Sequence, residues 1–503
     1  MDEKLQLSMD ETVHHKIEIS IENHKDAIKK INYEIFNNPE LAWQEVTAHD
    51  AICNYFGSLG SDYTIHRQAY EIKTSFLIEA TAHSTSNATT IPPVSGAGPR
   101  TVVFNAEYDA LPHMVPVPGT NPPEYKPAHA CGHNLIASAS IAAFIACWET
   151  LKATGKQGTV KLLGTPAEES GGGKIKLIEA GAYKGVDACL MVHPGPLASD
   201  KDLKALAFTR TLASQRLIAD FEGLASHAGF APWEGKNALD AFVISYTAIS
   251  ALRQQLHPSL RVAGIIRNGG KAANVIPDHT KAEYSIRASS RKDLDDLRVK
   301  ITNCFNSGAQ AAGCTVNIDD KRAAYWDLLS NLPLCQYFTN RMTGFSVNTV
   351  CSLPEITDNP GAASDQGNVS HVCPAMQGAF FIESKGAVNH TPKFAEAAGT
   401  EDAFERAIGC AKGLAAVGLD VLTDDEFATE VWKAWKDDVS GKAATIAQDF
   451  GKAVPNQDQI DGLLASPPPP LRELLKTPDI SREQVIATLM AVDTYFDQTR
   501  GLF

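Results

Sequence analysis

A regular alternation of apolar strands and helical runs, which begins near residue 101, constrains the fold more than any other feature of this chain. The pattern consists of three short apolar strands and the two helical runs between them: 101–106, 133–151, 159–164, 174–180 and 188–192. Because strand–helix–strand units pair their strands in parallel and lay helices over the sheet, we expect an α/β fold with a mostly parallel sheet. In such sheets, functional groups gather on loops beyond the carboxyl ends of the strands.

The pattern changes near residue 210, which predicts a second domain inserted into the first. Strand-like and helical segments are again mixed here, at 217–222, 238–256, 264–267, 282–287 and 294–304. A chain of 503 residues also exceeds what one hydrophobic core usually organises. We therefore predict a catalytic domain formed by 1–209 and 326–425, and an inserted α+β domain at 210–325.

The two ends of the chain and one loop have distinct compositions. Helical spacing over 15–60 is interrupted by Pro39, and the Ser-, Thr-, Pro- and Gly-rich stretch 81–100 predicts a flexible surface loop. Two amphipathic runs, 424–436 and 482–496, flank a run of four prolines that begins at Pro467. The prediction for 426–503 is a helical C-terminal extension.

Charge and composition exclude several classes of partner. The formal net charge of −14 argues against a nucleic acid or an anionic membrane as partner, since both favour a basic face. The acidic N-terminus lacks the apolar core of a signal peptide, and no apolar run reaches the roughly 18 residues of a membrane span. Ten cysteines without secretory features indicate reduced thiols, so a cytoplasmic location is expected.

Side chains of the types that bind zinc recur at the ends of the predicted strands. They are Asp109 after the first strand, Cys131 and His133 at the start of the long helix, Glu168 and Glu169 after the second strand, His193 at the end of the third, and His390 far downstream. Each alone has an ordinary explanation, as a buried thiol, a capping histidine or a solvated carboxylate. Their joint occurrence beside glycines and prolines favours a metal-dependent site, in which one of the adjacent glutamates binds metal and the other moves a proton.

The strings EYDALP, HACGHN, GTPAEESGGGK and MVHP resemble those of the M20 metallopeptidase/aminoacylase family, in particular its aminoacylase-1-like dipeptidase branch. Four longer strings resemble the same family: GLASHAGFAPWEGKNALDA, GIIRNGGKAANVIPDHTKAEYSIRA, SDQGNVSHVCPAMQGAFFI and NHTPKFAEAA. The matches run in order from about residue 30 to about residue 420. The resemblance implies a zinc-exopeptidase-like catalytic domain, with the inserted domain as a lid that also forms a homodimer.

The same resemblance implies roles for the residues at the strand ends. Two divalent ions would be bridged by Cys131, and the ligand set would be completed by His133, Glu169, His193 and His390. Glu168 would be the general base and acid, and Asp109 would orient a ligand. A mixed sulfur, nitrogen and oxygen site suits Zn²⁺ but tolerates Mn²⁺ or Co²⁺.

Three lid residues also acquire roles from the resemblance. His227 would stabilise the oxyanion, either in its own subunit's site or in that of the partner subunit. Asn274 and Arg287 would hold the substrate's carboxylate or backbone polar groups. Their ordinary alternatives are a capped loop histidine, a common turn residue and an exposed strand arginine. The chain departs from many relatives at Asn134, where they carry Asp, at the apparently inserted loop 83–99, and beyond about 425, where no role transfers.

The hypothesis for function is metal-dependent hydrolysis of an amide bond in a small dipeptide-like or N-acyl amino acid substrate that carries a carboxylate. Two alternatives stay open. One is a catalytically silent scaffold, although no expected ligand is missing from the sequence. The other is an enzyme that processes or forms amides in a biosynthetic pathway, which the unusual tail and loop support only weakly. The residues do not identify the substrate.

Overall fold

The computed structural model describes residues 3–83, 99–198, 200, 202–320, 322–353 and 361–440. By its internal contacts the chain separates into a compact unit, Met1–Lys436, and the remainder, Asp437–Phe503. The predicted features at 84–98, in the proline run and at 482–496 lie outside the described residues. Residues 81 and 82, which we expected in the loop, instead end a strand of the main sheet.

An eight-stranded sheet forms the centre of the compact unit. Its strands, in spatial order, are β1 (Thr64–Arg67), β2 (Phe76–Ala82), β6 (Gly158–Gly164), β3 (Thr101–Ala106), β7 (Ala188–Pro196), β14 (Ala375–Ile382), β8 (Ala205–Leu206) and β13 (Thr349–Val350). The four central strands, β6-β3-β7-β14, are parallel, as predicted. The sheet is mixed at its margins, since β1 with β2, β2 with β6, and β14 with β8 are antiparallel.

Helices cover both faces of this sheet. They are α1 (Glu3–Asn37), α2 (Val46–Ser58), α3 (His133–Thr154), α4 (Gly173–Glu179), α7 (Leu332–Gly344), α8 (Gln366–Ser370), α9 (Pro392–Ala398), α10 (Glu401–Thr423) and α11 (Asp425–Val439). Successive strand residues point to opposite faces, so each strand feeds two cores. In β3, for example, Val102 and Phe104 join the larger core, while Val103 joins the smaller one.

The apolar helix α3 lies at the centre of the larger core. Its length and hydropathy would suffice to cross a membrane, and 94% of its most apolar window is buried inside the protein. It packs against α1 and α10 on one side and against the central strands on the other. Its composition is therefore that of a core helix, surrounded by protein on every side.

The inserted segment forms a second, four-stranded antiparallel sheet with its own core. Its elements are β9 (Ala213–Glu222), α5 (Ala238–Leu252), β10 (Arg261–Asn268), β11 (His279–Ala288), α6 (Arg291–Ala311) and β12 (Thr315–Asp319), with the strands in the order β10-β11-β9-β12. Helices α5 and α6 pack on one face of this sheet, against side chains such as Leu217, Phe221 and Tyr284. The other face carries polar side chains.

Several short elements complete the structure. A two-stranded hairpin and three single turns of 3-10 helix are found at β4 (Leu111–Pro116), β5 (Tyr125–Ala128), Ala69–Glu71, Pro232–Glu234 and Arg253–Gln255. Helix α11 packs on the main body, because the indole N–H groups of Trp432 and Trp435 donate to Asp187 Oδ1 and to the Ser370 carbonyl at 3.0 and 2.8 Å.

Candidate metal centre and active-site cleft

The central parallel strands bring the predicted ligands to one edge of the sheet. Strands β3, β6 and β7 all end at this edge. Asp109 follows β3, Glu168 and Glu169 follow β6, and His193 lies within β7, three residues before its end. Cys131 and His133 reach the same edge because α3 begins there. His390 arrives from the connection between β14 and α9.

Among the described residues, the potential ligand atoms form three groups. Glu107, His133 and Glu168 form a group without sulfur, and the other two groups share one sulfur. Cys131, His133 and His193 each place a ligand atom within 4.8 Å of the others, and so do Cys131, Glu169 and His390. The Cys131 Sγ lies 3.4 Å from His193 Nε2, and His390 Nε2 lies 3.5 Å from Glu169 Oε1. The geometry therefore provides two adjacent positions for cations with the thiolate between them.

Two buried ligand atoms have no hydrogen-bond partner within the described part of the chain. These are His133 Nε2 and Glu169 Oε1, which lie 3.7 Å apart. Buried polar atoms are almost always satisfied, and leaving one unpaired costs about 1–3 kcal/mol. Cations bound by the two groups that share the Cys131 sulfur would satisfy both atoms, so the residues present fit bound divalent metals.

Asp109 orients both ligand groups through its two oxygens. Its Oδ1 accepts a hydrogen bond from His133 Nδ1 at 2.9 Å, and its Oδ2 accepts from the Glu169 backbone N–H at 3.0 Å. The proton on Nδ1 leaves Nε2 of His133 free to bind a cation. The hydrogen bond to His133 also lowers the pKa of the Asp109 carboxyl despite its complete burial.

Unusual backbone conformations place the ligands. Gly132, between Cys131 and His133, has φ +79°, and an added Cβ would lie 2.6 Å from a Pro194 side-chain carbon. Ala167 and His390 adopt φ values of +60° and +66°, which non-glycine residues rarely do. The Ala167 conformation is stabilised by buried Glu45, whose Oε1 accepts a hydrogen bond from the Ala167 backbone N–H at 2.9 Å.

Crowded carboxylates dominate the electrostatics of the site. Burial, and then repulsion by Glu107 and Glu169, raises the pKa of Glu168 well above its usual value. Burial raises the pKa of Glu169 to about 7 and lowers that of His193 to about 4. These protein groups thus favour neutral forms by themselves, and positive charge placed among them would favour the carboxylate forms.

A buried ion network beneath the site was not anticipated from the sequence. Lys174 Nζ lies 2.5 Å from Glu107 Oε1 and 2.6 Å from Asp365 Oδ1, and all three side chains are at most 1% exposed. Glu107 Oε2 is in turn 3.4 Å from His133 Nε2. The strings EYDALP, GGGK and SDQG contain these residues, but a lysine after three glycines gave no sign that it would be buried.

The site opens into a cleft of about 1150 Å³ between the two sheets. Cys131, Glu168, Glu169, His193 and His390 line it, and so does Arg287 from the lid. The far side of the cleft is formed by the polar face of the lid sheet, with Tyr325 and the segment 361–364 at its margin.

The structure does not bring His227 and Asn274 into this cleft. Both are exposed on the lid and neither lines the cleft of the same chain. His227 Nδ1 accepts hydrogen bonds from the backbone N–H groups of Gly229 and Phe230, each at 3.1 Å. The Asn274 carbonyl accepts from Ala228 N at 3.0 Å, so the two residues lie on adjoining exposed segments.

Comparison with known proteins agrees with this architecture. The sequence model of peptidase family M20/M25/M40 matches residues 103–415. The Xaa-Arg dipeptidase of Mus musculus is 36% identical over 422 residues, which cover 83% of this chain and 90% of that protein. The human Xaa-Arg dipeptidase is 34% identical, with the same coverage.

A solved structure shares the fold. The YXEP protein of Bacillus subtilis, a dinuclear metal-binding peptidase from the M20 family, aligns with a TM-score of 0.56 at 18% identity. The alignment covers 80% of this chain and 99% of that one. At this level of identity the likeness concerns the arrangement of elements.

Proposed function

Since the chain belongs to peptidase family M20/M25/M40, we propose that it is a metal-dependent dipeptidase or amidohydrolase that cleaves the amide bond of a dipeptide or an N-acyl amino acid. The observation that carries the proposal is the shared geometry of Cys131, His133, Glu169, His193 and His390, which includes two buried ligand atoms without partners. Glu168 lies beside this cluster, in a third group with His133 and Glu107 that does not include the Cys131 sulfur.

Cys131 would bridge two divalent ions, one completed by His133 and His193 and the other by Glu169 and His390. A thiolate with imidazoles and a carboxylate suits zinc better than magnesium or calcium, which prefer oxygen ligands. When bound, such ions polarise an amide carbonyl and make water a stronger nucleophile at neutral pH.

Glu168 is the best placed residue to move the proton. Its side chain is 7% exposed and lines the cleft beside the ligands. Its backbone carbonyl accepts a hydrogen bond from the Tyr325 hydroxyl at 2.5 Å, and Gly172 N donates to the same hydroxyl at 3.0 Å, which fixes the loop. Cations bound beside it would favour the carboxylate form of Glu168, which can accept a proton from the attacking water and deliver it to the leaving nitrogen.

Arg287 is the candidate for binding the substrate's carboxylate. One of its guanidinium nitrogens, Nη1, donates to the Gly361 carbonyl at 2.6 Å. Its remaining donors face the cleft, where an Arg–carboxylate pair would hold one end of the substrate in a fixed orientation.

The proposal includes a homodimer formed through the lid, in which His227 and Asn274 serve the cleft of the partner subunit. Edge strand β10 exposes Ile265 and Ile266 at 52% and 47%, and Phe230, close to His227, is 78% exposed. An exposed apolar edge strand is ready for pairing with another strand.

The proposal also includes a cytoplasmic location, because the ten free cysteines favour a reducing compartment.

The deciding experiment compares Glu168→Ala with Glu179→Ala, a control change at an exposed glutamate at the end of α4. Loss of a general base should lower kcat by about 10²–10⁴-fold in the first variant, with metal content by mass spectrometry unchanged. The control should keep both activity and metal. Full activity in Glu168→Ala would refute the assignment, and wild-type protein that binds metal but cleaves no amide in a broad panel would support a silent scaffold.

A further inference from the structure

Two arginines project side by side from the polar face of the lid sheet. In the antiparallel pair β9 and β11, Arg287 lies opposite Ser214, and Arg216 lies opposite Ser285. Because residues two apart on a strand share a face, Arg216 and Arg287 are diagonal neighbours, about 7–8 Å apart at their Cα atoms. Both line the cleft, whereas most of the alternate residues of the two strands, such as Leu217 and Ile286, fill the lid core.

These guanidinium groups are only weakly neutralised by the protein. Among the described residues, Arg287 has no ion pair. Arg216 is 3.7 Å from Glu283, whose other oxygen is already bound by Arg267 at 2.8 Å. The Arg216 side chain is 57% exposed, so it can rearrange to meet a ligand.

A third arginine adds to the same wall of the cleft. Arg322 lines the cleft, is 47% exposed and approaches its nearest carboxylate, Asp319, only to 3.8 Å. Of the described residues that line the cleft, the only acidic ones are Glu168 and Glu169, and both lie at the metal centre. The wall that faces the metal centre therefore carries three arginines, and the acidic partners of Arg216 and Arg322 lie outside the cleft lining at 3.7 and 3.8 Å.

Resting on the proposed function, we propose that this cleft selects substrates with two carboxylates, in which the residue released by hydrolysis is glutamate or aspartate. Arg287 would bind its α-carboxylate and Arg216, with Arg322 beside it, its side-chain carboxylate. Ser214 and Ser285 are small, which leaves room above the sheet for both groups. A released arginine or lysine would instead place its charge against guanidinium groups, the reverse of the preference in the names of the mouse and human relatives.

The test uses three dipeptides that differ only in the second residue, Ala-Glu, Ala-Gln and Ala-Arg, with the full-length, metal-loaded protein. We expect kcat/KM for Ala-Glu to exceed that for Ala-Gln by about 10–100-fold, the range of one charge-assisted hydrogen bond, with Ala-Arg slowest. Most of the difference should lie in KM, because this contact is made in both the ground state and the transition state.

A matched pair of variants assigns the selectivity to its residue. Arg216→Gln should move the ratio of Ala-Glu to Ala-Gln towards one. Lys281→Gln, on the same sheet face but outside the cleft lining and paired with Asp220, should preserve the ratio. A ratio near one in the wild type, a preference for Ala-Arg, or an equal response of both variants would overturn the inference.

Direct binding separates this inference from the proposed function. Dissociation constants of the three dipeptides for Glu168→Ala, measured by calorimetry, should follow the order Glu, Gln, Arg from tightest to weakest. Tight binding of Ala-Glu without turnover in the wild type would refute the proposed function and support the selectivity. Turnover of all three dipeptides with equal dissociation constants would support the proposed function and refute the selectivity.

Discussion

Replacing Lys174 by methionine removes the positive partner that two carboxylates share in the buried network. Lys174 Nζ contacts Glu107 at 2.5 Å and Asp365 at 2.6 Å, and its backbone N–H donates to the second Asp365 oxygen at 2.9 Å. Burial by itself would lower the pKa of Lys174, but the charges of Asp365 and Glu107 outweigh burial and raise this pKa above its usual value. Methionine fills a similar volume without the charge, so the variant isolates the electrostatic effect.

The expected loss follows from the uncompensated charge that is left behind. Breaking a buried ion pair by removing one partner typically costs about 3–5 kcal/mol, and here two carboxylates, each at most 1% exposed, lose the same cation. That is a large part of the roughly 5–15 kcal/mol by which folded domains are stable. The carboxylates escape part of the cost by binding protons, so their pKa values rise above those of the unfolded chain.

The sign of the pH dependence tests this reasoning. A carboxyl group whose pKa is higher in the folded state contributes stability at pH values below its unfolded pKa and loses it as the pH rises through the folded pKa. The deficit of Lys174→Met against the wild type should therefore be largest at pH 8 and shrink towards pH 5.

Urea unfolding, followed by far-UV circular dichroism at both pH values, measures the deficit from the shift in midpoint. Lys176→Met, two residues along the same helix, is the matched control. Lys176 is exposed and its ammonium lies 4.1 Å from the centre of the Trp43 ring, so its loss should lower stability by less than about 1 kcal/mol. A deficit below about 1 kcal/mol, or one that is equal at pH 5 and pH 8, would show that the buried charges do not govern this network.

Three further outcomes can be checked. Burial and the Asp109 charge raise the pKa of Glu45 to about 7. The stability that this carboxyl group contributes, at most about 3 kcal/mol, is therefore present below about pH 4.5 and lost as the pH rises through 7. In thermal melts, Glu45→Gln should be more stable than the wild type at pH 8 and no more stable at pH 5. Cys131→Ala should reduce bound metal by more than one ion per chain, since both sulfur-containing ligand groups lose their shared sulfur. Cys147→Ala, at a buried cysteine within α3, should leave the metal content unchanged by mass spectrometry. Ile265→Lys should convert a dimer into monomers in analytical ultracentrifugation, and a wild type that is monomeric at all concentrations would refute the lid interface.

The strand–helix pattern was sufficient for much of the fold because it reflects local rules. The predicted strand at 101–106 coincides with β3, and the run predicted at 133–151 extends only three residues further, to Thr154. Both are continuous apolar segments bounded by polar turns, which is the strongest signal a sequence carries. The antiparallel margins of the main sheet were not predicted, since the direction in which strands pair depends on contacts between distant segments.

The same division holds at the site. Residue types and their order along the chain are local, so the family resemblance could predict Cys131, Glu169 and His390 as one set, and the structure places their ligand atoms within 4.8 Å of one another. The Lys174 network could not be predicted from the sequence, because lysine side chains are usually exposed. Only the folded structure shows that Lys174 is buried beside Glu107 and Asp365. The sequence also could not show that Arg216 stands next to Arg287, since 71 residues of chain separate them and only the register of β9 and β11 brings them onto one face.

By itself the sequence determined the class of fold, which follows from residue type and short-range periodicity, while its resemblance to a family supplied the predicted lid and metal ligands. The tertiary structure alone decided which charges are buried, which arginines line the cleft and that His227 lies outside the cleft of its own chain. The physical reason is that burial, dielectric environment and the alignment of strands depend on residues far apart in sequence, and no local pattern encodes them.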